Sequence, residues 1–241
     1  MGLDKPSDFK ERRNMRRVLL LTTFAVLALF GLSQSGTQAV NQTFAERFTQ
    51  DKVGESGVYN FDKAHSFIGF KVKHLGLIEV PGFFRDFTGT VNFDAKDISK
   101  STVEFTAKVT SVDTGVAPRD NHLRTADFFE VEKYPEMTFK STKVEKKGDS
   151  WMLTGDFTLK GVTKSITFPF QISGWLPPDQ RSGGKMGITA ETSINRRDYG
   201  VNYGTNVPGS PIAVSDNIKI VLQIEAGKRR ETPAPAATPA N

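Results

Sequence analysis

Residues 103–110 read Val-Glu-Phe-Thr-Ala-Lys-Val-Thr, and this stretch decides the fold class. Every odd-numbered position is apolar, and every even-numbered position is polar or charged. Successive side chains of a β-strand point to opposite faces, so the alternation predicts a strand with one face in a core and the other in water. A helix would instead repeat its apolar residues every three or four positions.

The same alternation appears in seven other segments, separated by turn residues such as those at 160–162. Regular strands of this kind predict an all-β fold, either an antiparallel sandwich or a barrel. Eight strands can close a barrel that holds one small ligand or fills itself with side chains, and the sequence leaves both possibilities open. We predict that the following residues point inward and contact any ligand: Phe70, Val72, Phe87, Phe93, Phe105, Val109, Phe139, Phe157, Phe168 and Ile188.

A polar connection before residue 136 carries two adjacent aromatic residues, Phe128 and Phe129. Aromatic rings are costly to leave in water, so we expect at least one of them to be largely buried. We predict a short helical loop around 122–129 that closes one end of the β-structure. Both rings are therefore placed among the ligand contacts.

Arg119, His122 and Arg124 lie in the same connection. One interpretation places them at the mouth of a pocket, where they contact an anionic head group. The alternative is a set of solvated loop charges that pair with neighbouring acids and cap turns. A metal site formed by Asp120, His122 and Asp127 is disfavoured because the nearby arginines would repel a cation. No metal or cofactor site is predicted.

Nothing in the sequence selects an enzyme. There is no Gly-x-Ser-x-Gly motif, phosphate-binding loop or dinucleotide fingerprint. Residues 196–200 read Arg-Arg-Asp-Tyr-Gly. We expect an arginine of this segment to pair with Asp198 across a strand end, and we do not expect these residues to catalyse a reaction. The chain has no cysteine, which excludes disulfides, thiolate chemistry and cysteine zinc sites.

The net charge of +5 is concentrated at the N-terminus. Residues 1–17 contain six basic and three acidic residues, a net +3, which leaves only +2 for the rest of the chain. So weak a charge argues against a nucleic-acid partner. An uncharged, largely apolar segment then runs over 18–39 and follows four arginines. This arrangement predicts export to the periplasm or beyond, with residues 1–39 acting either as a cleaved signal peptide or as a membrane anchor.

The remaining boundaries follow from composition. Residues 40–56 are predicted to be a linker, residues 57–227 the barrel, and residues 228–241 a disordered tail rich in proline and alanine. If the N-terminal segment is not cleaved, it would also give the protein a contact with the membrane. The sequence indicates no protein partner.

Several stretches resemble the YceI-like polyisoprenoid-binding family, and they occur in the family's order. They include Tyr59 to Ser66, Phe70 to Gly76, Gly82 to Gly89, Arg119 to Thr142, Leu159 to Lys164 and Arg197 to Gly200. One departure is the segment Leu77-Ile-Glu-Val-Pro81, which places apolar residues and a proline before Gly82.

The resemblance implies an eight-stranded antiparallel, lipocalin-like β-barrel in an exported bacterial protein. It also implies a bound isoprenoid lipid, either a polyprenyl phosphate or an isoprenoid quinone, with no cofactor beyond that lipid and no catalysis. Two other functions stay open: a structural or stress-response export domain with a packed interior, and an uncharacterised enzyme that uses the 119–127 loop.

Overall fold

The structure is a computed structural model that describes residues 54–179, 183–204 and 213–228. These ranges contain eleven β-strands and one α-helix, with short 3-10 helices at Ile98–Lys100, Val109–Ser111 and Arg196–Tyr199. The helix, α1, spans Ala117–Arg124. The strands are β1 Gly57–Phe61, β2 Phe67–His74, β3 Ile78–Phe84, β4 Phe87–Phe93, β5 Thr102–Lys108, β6 Val112–Asp113, β7 Glu136–Lys147, β8 Ser150–Leu159, β9 Val162–Leu176, β10 Lys185–Asn195 and β11 Val214–Lys228.

Eight strands close into an antiparallel ring in the order β1-β4-β5-β7-β8-β9-β10-β11. The ring closes because β1 pairs with β4 on one side and with the last residues of β11 on the other. The earlier part of β11 pairs with β2, which continues the sheet through β3 to β6. Closure leaves few unpaired strand edges, which removes a common route to aggregation.

The predicted eight-stranded antiparallel barrel with a short helical loop is confirmed. Seven of the predicted strands belong to the ring, but the strand that carries Phe70 and Val72 is β2, which lies outside it. The ring's remaining member is β1, which the sequence reading missed because its five residues show too little alternation. The short strand β6 was missed for the same reason, and Pro81 obscured β3.

Two glycines on inward-facing positions let aromatic rings cross neighbouring strands. A Cβ atom at Gly89 would lie 2.4 Å from the Phe61 ring, and one at Gly155 would lie 2.4 Å from the Phe139 ring. The space that each missing side chain leaves is therefore filled by an aromatic ring. These glycines do not by themselves create a cavity.

The two ends of the barrel are built differently. At the α1 end, the helix and the turns over 125–135 cover the opening, held by Arg124, which donates to the carbonyl oxygens of Thr110 and Val112 at 2.8 Å. At the β1 end, Tyr59 is fully buried, donates to the Glu55 carbonyl oxygen at 2.8 Å and accepts from Trp175 Nε1 at 3.3 Å.

Some predicted boundaries shift. Gly54 to Ser56, assigned to the linker, pack at the β1 end, where Gly54 lies against Phe93 and Trp175. Lys228, assigned to the tail, is the last residue of β11 and pairs with Tyr59. The predicted signal or anchor segment at 1–39, the linker up to residue 53 and the tail from 229 lie outside the described residues. Within the described ranges, no helix is both long and apolar enough to span a membrane.

Candidate functional site

The barrel contains a cavity at its α1 end. It measures about 180 Å³ as the space open to the centre of a water molecule. Its walls come from the α1-end halves of the long strands, from the β2–β3 hairpin and from α1, which contributes Leu123. Nearly all of the lining atoms are apolar, as expected for a site that binds hydrocarbon through dispersion contacts.

A second cavity of about 70 Å³ lies towards the β1 end. Its lining is again apolar and includes Phe93, Ile188, Ala190 and Phe170. Ile68, Phe105, Phe139, Phe168 and Leu222 line both cavities, so the two spaces are neighbours inside one barrel.

Three of the shared residues form an aromatic waist between the cavities: Phe105, Phe139 and Phe168. The Phe105 and Phe139 rings stack with centroids 5.9 Å apart, and the Phe139 and Phe168 centroids are 5.6 Å apart. Phe139 reaches this position because Gly155 has no side chain to exclude it. The partition between the two cavities therefore includes these three rings together with Ile68 and Leu222, which also line both spaces.

The predicted inward-facing residues divide into three groups by depth. Phe70, Val72, Phe105, Phe139, Phe157 and Phe168 line the larger cavity. Phe93 and Ile188 line only the smaller cavity. Phe87 and Val109 belong to the buried core and line neither of these two cavities.

The predicted aromatic pair lies at the α1 end, and both rings line the larger cavity. Phe129 packs edge-on against Phe84 at 5.8 Å, while Phe128 lies 4.6 Å from the Tyr203 ring and 5.1 Å from His122. Neither ring is exposed, and Phe129 packs against the hydrophobic core, which agrees with the expectation that at least one of them is largely buried. They form a wall between the cavity and solvent and are not sealed into the core.

The predicted head-group residues separate into two roles. Arg119 and His122 line the larger cavity, whereas Arg124 does not and instead anchors α1 to the backbone of residues 110–112. Arg119 donates to the Thr114 hydroxyl at 2.7 Å and to the Thr114 carbonyl oxygen at 2.9 Å. His122 Nε2 lies 2.7 Å from an Asp127 carboxylate oxygen.

The disfavoured metal site at this loop gains no geometric support. His122 and Asp127 are in contact, but Asp120 is buried and accepts hydrogen bonds from the backbone and hydroxyl of Thr114. Across the described ranges, one group of three possible ligands comes close enough to share an ion: Asp62, His65 and Glu225, within 4.8 Å of one another. Lys185 bonds to Glu225, and this ammonium group would oppose a cation there.

The sequence reading missed Arg196 as a cavity residue. Arg196 is buried at the end of β10 and lines the larger cavity. It donates to the Val201 carbonyl oxygen at 2.7 Å and pairs with Asp216 at 3.1 Å, and not with Asp198 as expected. Burial lowers the pKa of Arg196, and the negative charge of Asp216 partly offsets this effect. The sequence did contain a sign of this position. The even-numbered residues of β10 face inward, and Arg196 continues that alternation just past the end of the strand.

The exposed lining of the cavity is almost entirely apolar, and the basic residues that line it are all at one end. Arg119, His122 and Arg196 lie at its α1 end, and among the described residues that line it there is no carboxylate. The remainder of the wall offers hydrocarbon contacts. Such a cavity suits a ligand with a long apolar part and a polar or anionic end.

Comparison with known proteins agrees with this architecture. Residues 59–226 match the YceI-like domain. The chain belongs to the YceI-like family. It is 41% identical over 190 residues to protein YceI of Escherichia coli O157:H7, covering 78% of this chain and 96% of the relative. It is 35% identical over 190 residues to protein YceI of Salmonella agona, with the same coverage.

Solved YceI-like structures share the fold. The YCEI protein of Campylobacter jejuni superposes with a TM-score of 0.57 at 35% identity, covering 70% of this chain and 96% of that one. A polyisoprenoid binding domain from Saccharophagus degradans superposes with a TM-score of 0.55 at 16% identity, covering 71% and 98%. The second similarity bears on the fold alone.

Proposed function

We propose that this protein sequesters or carries an isoprenoid lipid, with the hydrocarbon chain inside the barrel and the polar end near α1. The observation that carries this proposal is the pair of neighbouring apolar cavities inside the barrel, which share the three rings of the aromatic waist, Ile68 and Leu222. Membership of the YceI-like family supports the ligand class, because the sequence resemblance to that family implies isoprenoid binding. The mechanism is binding without catalysis, and it requires no metal or cofactor.

The driving force would be removal of hydrocarbon from water. Each methylene group taken from water contributes about 0.8 kcal/mol, so an isoprenoid of several units gains far more from the cavity walls than from its head group. The apolar lining leaves no buried polar atom without a partner when the chain enters. A long chain would enter the larger cavity first and pass the waist only after Phe139 rotates.

The head group would be selected at the α1 end. The basic side chains of Arg119 and Arg196 favour a phosphate, but a quinone ring could instead stack among the aromatic rings of Phe128 and Tyr203. Both ligands therefore remain within the proposal. Direct competition between a polyprenyl phosphate and an isoprenoid quinone of equal chain length would rank them.

The two cavities permit a matched test on a single strand. Ala190 and Thr192 both face inward from β10, but Ala190 lines the smaller cavity and Thr192 lines the larger one. Thr192→Phe should abolish binding of short and long isoprenoids alike. Ala190→Phe should weaken only isoprenoids long enough to pass the waist. Lipids of defined length are added from detergent, and the bound fraction is measured by mass spectrometry.

The proposal fails if wild-type protein, purified from cells and also reconstituted with these lipids, never retains a stoichiometric isoprenoid. That result would favour the alternative of a packed export domain. Wild-type binding by the folded Thr192→Phe variant would exclude a ligand in the larger cavity.

Export is part of the same proposal, because a long isoprenoid needs a carrier only where it must cross water. The support is the sequence of residues 1–39, whose arginines precede an uncharged apolar stretch. Cell fractionation should find the protein in the periplasm or at the inner membrane. The N-terminal residue of that material distinguishes a cleaved signal peptide from an anchor, and full-length soluble protein in the cytoplasm would contradict export.

A further inference from the structure

Exposed apolar side chains are concentrated at the α1 end. Among the described residues, the large exposed ones at this end are Leu75, Leu77, Ile78, Val116 and Tyr203. Three of these lie within four positions at the turn between β2 and β3, and they are 44%, 77% and 63% exposed for Leu75, Leu77 and Ile78, respectively. We call residues 75–78 the hairpin tip.

The backbone conformation at position 75 of the hairpin tip is unfavourable for a leucine. Leu75 has φ +50° and Gly76 has φ +73°, and Leu77 N donates to the His74 carbonyl oxygen at 2.9 Å. Positive φ at both central positions defines a type I′ turn, where asparagine, aspartate or glycine is usual at the first position. A leucine pays a steric cost there, and its exposure shows that core packing does not compensate for that cost.

The hairpin tip continues directly into the cavity wall. Val72, on the β2 side, and Val80 and Pro81, on the β3 side, line the larger cavity. A surface that accepted the tip would therefore lie beside the site that we propose for the lipid. The hairpin tip shares Leu77 and Ile78 with the segment 77–81, where the sequence departs from the pattern of the family it resembles.

The charges around the hairpin tip, together with its apolar side chains, favour the surface of an anionic lipid bilayer over a charged patch on another protein. Lys71 and Lys219 are already paired, with Glu79 at 3.8 Å and Glu191 at 2.8 Å. Lys73 is exposed and makes no ion pair with any residue in the described ranges. Apolar side chains beside one available cation fit the boundary between lipid head groups and acyl chains.

We propose that the hairpin tip inserts into the surface of a lipid bilayer and holds the mouth of the larger cavity against it. This inference rests on the proposed isoprenoid-binding function. It adds the route of entry: the chain passes from the bilayer along Val72 and Val80 into the barrel without crossing water. The partner is the bilayer itself, not a protein.

The absence of cysteine from the chain allows a site-specific test. Leu77→Cys carries an environment-sensitive dye at the tip, and Leu176→Cys carries the same dye on an exposed leucine at the β1 end. Vesicles of phosphatidylethanolamine and phosphatidylglycerol should shift the emission of the dye to the blue at Leu77 and leave it unchanged at Leu176. Because each dye reports only its own surroundings, the result can be interpreted with or without residues 1–39.

A double variant tests the role of the tip in transfer. Leu77→Ser with Ile78→Thr replaces the two most exposed apolar side chains of the hairpin tip, neither of which belongs to the core. Val58→Thr with Leu176→Ser makes a matched change among exposed residues at the opposite end. Uptake of an isoprenoid from vesicles should fall about tenfold or more in the tip variant and stay unchanged in the control. Loading of the same lipid from detergent micelles should be equal in all three proteins.

The outcomes separate the two proposals. Equal dye emission at Leu77 with and without vesicles, or unchanged vesicle uptake by the tip variant, overturns membrane docking. A blue shift that depends on protein concentration and needs no vesicles would assign the tip to a second copy of the chain and also overturns docking. Failure of the wild type to load from detergent removes the proposed function, whereas the dye measurement would still report on docking.

Discussion

The two ends of the barrel use aromatic residues for different purposes. At the β1 end, Tyr59 and Phe93 are buried, and Tyr59 is hydrogen-bonded to its surroundings. At the α1 end, Phe128 and Phe129 are half-buried and separate a cavity from solvent. Full burial of an aromatic ring contributes most to stability, whereas partial burial leaves part of the ring exposed for contact with a ligand or a partner. The contrast agrees with our proposal that the α1 end binds the ligand, while the β1 end contributes mainly to stability.

The largest effect is expected from Tyr59→Ala. Removing this fully buried ring from the β1 end should lower the free energy of unfolding by ~3–5 kcal/mol, because it leaves a void and deprives Trp175 of its acceptor. Urea denaturation measures the change. Tyr59→Phe keeps the ring and should cost only about 1 kcal/mol. A small loss in the alanine variant would contradict a structural role for this end.

Gly155→Ala examines the waist that divides the two ends. A methyl group here would lie 2.4 Å from the Phe139 ring and 2.6 Å from the Lys140 carbonyl oxygen. We expect a loss of ~1–3 kcal/mol in unfolding free energy as the ring and strand are displaced. Gly227→Ala, where no atom lies within 4 Å of the new methyl group, should change stability little. Adding Phe139→Leu to Gly155→Ala should recover part of the loss, and failure to do so would argue against this contact.

Phe128→Ala tests the claim that the α1 end serves binding. The ring contacts His122 and Tyr203 at the surface, so its removal should cost about 1 kcal/mol of stability while sharply reducing lipid retention. Phe170→Ala is the matched change, since Phe170 is also half-buried but lines the smaller cavity. For Phe170→Ala, thermal unfolding should show the larger loss of stability, and lipid analysis should show the smaller loss of lipid retention. The same balance in both variants would erase the functional difference between the ends.

The smallest effect concerns pH at the β1 end. A hydrogen bond from His65 lowers the pKa of Asp62 below its ordinary value. A carboxyl group with a lowered folded-state pKa stabilises the fold at pH above its unfolded value, and this stabilisation is lost as the pH falls through the folded value. Asp62→Asn should therefore make unfolding free energy depend less steeply on pH in the acidic range. Identical slopes in titrated urea denaturation would disprove the contribution.

Much of the fold could be predicted because the alternation is a local property. The alternation in residues 103–108 places Phe105 and Ala107 on one face whatever the rest of the chain does, and Phe157 and Phe168 are placed in the same way within their own strands. Val109 was predicted to continue this strand, but it begins the 3-10 helix Val109–Ser111. The strand β1 could not be predicted this way. Its five residues gain their structure from pairing with β4 and β11, which lie far away in sequence.

The candidate site was predictable only in part. Arg119 and His122 line the larger cavity, and their predicted role toward a head group stays a prediction, whereas Arg124 donates to the backbone carbonyl oxygens of Thr110 and Val112. Arg196 was not predicted to line the cavity, because a charged residue that follows an apolar strand face usually marks the end of the strand. A buried ion pair at such a position is less common. Its partner Asp216 lies 20 positions further on and meets it only through the pairing of β10 with β11.

The sequence by itself determined which side of each strand faces inward, because that choice depends on a period of two residues within one segment. Only the tertiary structure decided how deep each inward residue lies. The alternation predicts that both Phe87 and Phe105 face inward, yet Phe87 is buried in the core and Phe105 lines both cavities. Depth depends on register and ring closure, and a cavity is the volume left after side chains from many strands have packed, which no single strand encodes.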